Sequence, residues 1–175
     1  MTASRYVAFL RGINVGGVNL KMADVAAAFT AAGFTSVKTI LATGNVLLTS
    51  PDSAANVRTK TEVALRNAFE YDAWVLVYTA AQVAAISAAY PFDRDVEGHH
   101  SYVTFVSDAE VLDELAALTD NAHRGDGVLY WQVARGDTLD SPISKAMAKK
   151  RYKSSTTTRN LRTVEKVLAS VDSAK

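Results

Sequence analysis

The sequence predicts an α+β protein: a ferredoxin-like (βαββαβ) first lobe, then a second, similar α/β lobe and a C-terminal helix. Three observations predict it. Short apolar and aromatic runs that read as strands alternate with segments of helical spacing. The first half gives the order strand, helix, strand, strand, helix, strand. The second half nearly repeats it if the threonine-rich piece Ser154 to Thr158 is extended. The implied division is 1–79 and 80–175, as two small lobes or one compact two-lobed domain, and 49% hydrophobic with 21% charged residues is ordinary globular composition.

Each element has its own signal. Arg5 to Leu10 (RYVAFL) fills with aromatic, branched and leucine side chains and reads as a buried strand. Arg11 to Lys21 holds three glycines and two asparagines, which favour turns, and is a loop. Met22, Val25, Ala26 and Phe29 recur at helical spacing, and Gly33 stops that helix. Ser36–Leu41 and Asn45–Thr49 are two strands around a turn with Gly44. A helix from Ala54 to Phe69 and a strand from Trp74 to Tyr78 complete the first lobe.

Thr79 with Gln82, and Ser107 with Glu110, fit the capping box that opens a helix. The helices should run to Tyr90, ahead of Pro91, and to about Leu118, with strand His100–Val106 between them. Val128–Ala134 is a further strand, and Ser141-Pro142 makes a helix start that the basic segment to Arg151 follows. Thr158 is expected to cap the last helix, whose apolar face carries Leu161, Val164, Leu168 and Val171.

Composition narrows the function classes. The absence of cysteine removes disulfides, thiolate nucleophiles, iron–sulfur clusters and cysteine-ligated zinc. The first apolar run, Tyr6 to Leu10, is too short for a signal-peptide core or a membrane helix, so a cytoplasmic protein without a membrane partner is expected. Net charge is +1, yet Pro51 to Asp126 holds 13 acidic against 5 basic residues. Lys145 to Lys166 holds 8 basic residues against Glu165, a basic island that hints at an anionic partner or else forms a solvated face.

The Arg11–Gly17 loop lies between a strand and a helix, where exposed N–H groups and the helix dipole favour an anion. Its glycines, Gly12, Gly16 and Gly17, have neither Rossmann nor Walker A spacing, and a plain β–α connection explains them equally well. Arg159, Arg162 and Lys166 would form a basic stripe on the last helix, if they do not pair with acids of the same chain. Asp93, Asp95, Glu97, His99 and His100 lack the spacing of a metal loop, and no metal or other cofactor is expected. His123 is isolated, Arg124-Gly125-Asp126 reads as a turn, and Tyr130 with Trp131 reads as core rather than as a base-stacking surface.

Three stretches carry a resemblance: Tyr6-Val-Ala-Phe-Leu-Arg-Gly-Ile-Asn-Val-Gly-Gly17 with Lys21-Met22, Thr43-Gly-Asn-Val46, and Thr157-Thr-Arg-Asn160 with Thr163-Val164. Together they resemble the "domain of unknown function 1697" family. The resemblance implies a two-part α+β fold and supplies no catalytic residue. The chain departs from the family pattern at Ala42-Thr43 and at Leu161-Arg162.

The candidate ligand-binding residues are thus Arg11, Gly12, Asn14, Gly16, Gly17, Lys21, Gly44, Asn45, Arg159, Asn160 and Thr163. Arg11, the Gly12–Gly17 backbone and Arg159 are expected to line one positive concavity. It would hold a phosphate-bearing metabolite or nucleic acid by the Gly-rich loop and an Arg-bearing helix start. The alternatives are a small enzyme acting on such a ligand, with Asn14, Asn45 and Asn160 orienting it, and a protein-interaction module using its sheet.

Overall fold

The computed structural model describes residues 3–11, 20–41, 44–69, 73–94, 96–118, 122–136, 141–147, 149, 152 and 155–173. The first half contains β1 (Ser4–Arg11), α1 (Met22–Ala31), β2 (Thr35–Ile40), β3 (Asn45–Ser50), α2 (Ala54–Ala68), β4 (Trp74–Thr79) and α3 (Ala80–Ala88). The second contains β5 (His99–Val106), α4 (Ala109–Ala116), β6 (Ala122–Arg124), β7 (Val128–Ala134), α5 (Pro142–Met147), β8 (Thr156–Asn160) and α6 (Leu161–Ser173). Contacts divide the chain into two units, 1–84 with 166–175, and 85–165.

The first unit carries an antiparallel sheet in the order β2-β3-β1-β4, the ferredoxin-like arrangement. Alternation along β1 decides which side the helices take. Tyr6, Ala8 and Leu10 form one core with Val25 and Phe29 of α1, Val57 and Leu65 of α2, and Val75 of β4, so both helices cover the same face. Val7, Phe9, Leu47 and Leu76, of opposite parity, are equally buried, which is why the RYVAFL run is apolar without a break. Each such side chain contributes about 1.5–3 kcal/mol of burial.

The β4 edge is closed by side chains of α2. Val75 N–H donates to Glu62 Oε2 at 3.0 Å, and Arg66 Nη2 donates to the Ala73 carbonyl at 3.0 Å. Those groups would otherwise invite another strand. At the opposite edge, β2 bulges between Thr35 and Lys38, where Ser36 has a φ of 49° and Arg5 Nη1 donates to its carbonyl at 2.6 Å.

The second unit repeats the topology, with sheet order β6-β7-β5-β8. Tyr102, Val106, Leu129, Trp131 and Val133 of its sheet pack with Val111, Leu112 and Leu115 of α4 and Ile143 of α5. Trp131 Nε1 donates to Thr104 Oγ1 of β5 at 2.9 Å, which lies 2.8 Å from Thr158 Oγ1 of β8, so a threonine of β5, itself bonded to β8, satisfies the buried indole. Tyr130 and Trp131 are each 2% exposed and belong to the core. Arg124 ends β6 and residues 125–127 turn the chain into β7, where a Cβ on Gly125 would stand 2.6 Å from Tyr130 Cε2.

The local expectations divide by chemistry. The Thr79 capping box forms reciprocally: Gln82 N–H donates to Thr79 Oγ1 at 3.1 Å, and Thr79 N–H donates to Gln82 Oε1 at 2.8 Å. The Ser107 box does not form. Asp108 caps α4, its Oδ1 accepting from Glu110 N–H at 2.9 Å, while Ser107 Oγ donates to the Ser155 carbonyl. A carboxylate suits the positive helix end better than a hydroxyl. Thr158 likewise is not the last cap. It lies in β8, α6 starts at Leu161, and Arg162 N–H donates to Asn160 Oδ1 at 2.9 Å. The helix that Pro142 opens is α5, Pro142–Met147; of the basic segment that follows it, residues 148, 150 and 151 lie outside the described residues, and the short strand β6 had no sequence expectation.

Candidate functional site

The C-terminal end of β1 gathers most of the described candidates of the first unit. Leu10 N–H donates to the Gly44 carbonyl at 2.8 Å, and Phe9 pairs with Asn45, so the Arg11 and Gly44-Asn45 motifs adjoin. Gly44 has a φ of 85° and follows Leu41 at 60°, a left-handed pair that closes the β2–β3 hairpin. Asn45 is fully buried, and its Nδ2 donates to the Ile40 carbonyl at 2.9 Å across that hairpin. It serves the turn.

Arg11 is the last residue of β1 and is half-buried, with burial pulling its pKa below the ordinary arginine value. Trp74, the first residue of β4, is its cross-strand partner and is also half-buried. The Arg66 guanidinium lies over the Trp74 ring, 5.4 Å from its centroid. Lys21 is exposed and occupies the position before α1 with an extended backbone and no side-chain cap, while Asp24 supplies an acid in the first turn. Gly12, Asn14, Gly16 and Gly17 lie outside the described residues.

The remaining candidates belong to the second unit. Arg159 lies inside β8 rather than at a helix start, so the expected stripe with Arg162 and Lys166 does not form. Its Nη1 donates to Thr157 Oγ1 at 2.7 Å and to the Thr158 carbonyl at 3.0 Å, and the residue is 7% exposed. Val103 and Tyr130 continue its row across the sheet. Asn160 caps α6, and Thr163 is half-buried in its first turn. Sequence spacing could not separate strand from helix here, because TTTRN carries no apolar period.

Trp74 and Arg66 escaped the sequence reading. The signal available was an aromatic opening a strand that pairs with the Arg11 strand, visible only once the order β1-β4 is known. Elsewhere in the first unit, α1 and α2 bound an open apolar groove of about 550 Å³, lined by Ala28, Ala32, Lys60, Val63, Ala64 and Ala68 among others. It includes none of the candidates. Its charged side chain, Lys60, stands 2.5 Å from Asp52 Oδ2. Among the described residues no three acidic or histidine side chains cluster as a metal site, and no helix is long and apolar enough to cross a membrane.

A family model described as "Protein of unknown function (DUF1697)" matches residues 3–132, a span that ends in β7, ahead of the Thr157–Asn160 motif. The solved structure of a conserved bacterial protein from Streptococcus pneumoniae is similar in fold, with a TM-score of 0.79 and 22% identity over 98% of this chain and 99% of that one. No curated protein matches the chain.

Proposed function

On the premise that the chain belongs to the DUF1697 family, we propose that it binds an anionic, phosphate-bearing ligand at the Arg11 end of β1. The observation that carries the reading is the opening of α1. This 10-residue helix begins at Lys21 without a side-chain cap, at the end of a glycine-rich connection that starts at half-buried Arg11. A helix N-terminus carries partial positive charge and N–H donors, and a guanidinium grips two oxygens at once. Gly12, Asn14, Gly16 and Gly17, which lie outside the described residues, complete the proposed ligand set.

Arg159 bonds along its own strand, so its share in binding is tested separately. Titration of the full chain with inorganic pyrophosphate at two salt concentrations tests the proposal. Saturable binding that weakens with salt is expected, with a gain of about 2.7 kcal/mol in stability at a hundredfold excess over Kd. An unfolding midpoint indifferent to pyrophosphate would refute it.

A further inference from the structure

Trp74 opens β4 at the sheet edge, half-buried, with part of its indole left to solvent. One cation lies over it, and a second residue of that charge stands opposite it in the neighbouring strand. The Arg66 guanidinium is 5.4 Å from the ring centroid, and Arg11 is the cross-strand partner. Residues directly opposite in an antiparallel pair share one face of the sheet, so Arg11 and Trp74 stand side by side where the glycine-rich connection departs. The bond from Arg66 to the Ala73 carbonyl closes the strand edge, but that role needs no indole.

We propose that Trp74, with Arg66 and Arg11, forms a subsite for the base and phosphate of a single nucleotide. This rests on the anion-binding reading and gives it a ligand class. An aromatic face accepts any base by stacking, and guanidinium groups beside it pair with phosphate oxygens and strengthen the stack. One tryptophan fits one base. A bare phosphate would make no use of the indole.

The chain has two tryptophans, and Trp131 is 2% exposed in the core of the second unit, so a ligand-dependent change in emission reports Trp74. The full chain is titrated with ADP, adenosine and inorganic pyrophosphate, by fluorescence and calorimetry. ADP is expected to quench emission and to bind about 5- to 150-fold more tightly than pyrophosphate, the usual worth of one stacked base. Adenosine alone should bind more weakly than ADP. Trp74→Leu should bring ADP down to the pyrophosphate level and leave pyrophosphate unchanged, and Trp74→Tyr, which keeps a flat ring, should retain most of the ADP affinity.

Equal affinity for ADP and pyrophosphate in the wild type would overturn the stacking subsite while leaving the anion site standing. Adenosine binding as tightly as ADP would overturn the nucleotide assignment from the other side. Failure of ADP and pyrophosphate alike would refute this inference and the anion reading together. The wild-type comparison needs no variant, so it decides the matter even if Trp74→Leu does not fold.

Discussion

Asn45→Ala should destabilise the protein without weakening anion binding, although the residue stands within a family motif. Its side chain is fully buried, and Nδ2 donates to the Ile40 carbonyl at 2.9 Å, tying the last residue of β2 to the first of β3. Ile40 is itself 8% exposed, so removing the donor strips a partner from a carbonyl with little access to water, at about 1–3 kcal/mol. The void left by the amide, about 40 Å³ at about 24 cal/mol per Å³, adds about 1 kcal/mol. The total is about 2–4 kcal/mol, read as a lower urea midpoint at unchanged slope. Asn45→Asp should cost no less, since a carboxylate cannot donate to the carbonyl. The reasoning is refuted if Asn45→Ala unfolds at the wild-type urea concentration while pyrophosphate affinity drops.

Other expectations follow from the same geometry. Asp108→Ala should cost about 0.5–2 kcal/mol as the loss of a helix cap, and Ser107→Ala distinctly less, with urea unfolding of both variants as the check. Arg159→Ala should lower stability by about 1–3 kcal/mol, because the Thr158 carbonyl loses a partner inside the sheet; an unchanged melting curve would return Arg159 to a ligand role. Alkaline pH should destabilise the protein from about pH 10 upward. Burial raises the pKa of Tyr78, Tyr90 and Tyr130, so the folded state keeps protons that the unfolded chain loses there, and stability falls as pH rises. Tyr130→Phe should flatten that fall in unfolding measured between pH 8 and 11.

Much of the fold was legible because its signals are local. RYVAFL, the Val25–Phe29 stripe ended by Gly33, and the Gly44 hairpin each state their conformation within a few residues, and the Thr79–Gln82 box caps α3 as its spacing requires. The misread points share one cause, competition between neighbouring polar groups. Ser107 and Asp108 both suit a cap, as do Thr158 and Asn160, and the outcome depends on which residue the sheet has already claimed. Thr158 is held by Thr104, 54 residues away, whose hydroxyl also accepts from the Trp131 indole. The site was legible in part. Arg11 stands out as a charge ending an apolar strand, but its neighbour Trp74 lies far along the chain and is joined to it only by the β1–β4 register.

The central claim, an anion held at the Arg11 end of β1, is tested most directly by calorimetric titration of inorganic pyrophosphate into the wild type, Arg11→Gln and Arg124→Gln. Arg124 is an exposed arginine of β6 paired with Asp113, so its loss removes the same charge from a place with no part in the site. Arg11→Gln should weaken binding by about 1.5–3 kcal/mol, the worth of hydrogen bonds to a charged group, and Arg124→Gln should leave it within error of the wild type. Equal affinities in all three proteins, with the folds intact by circular dichroism, would contradict the account.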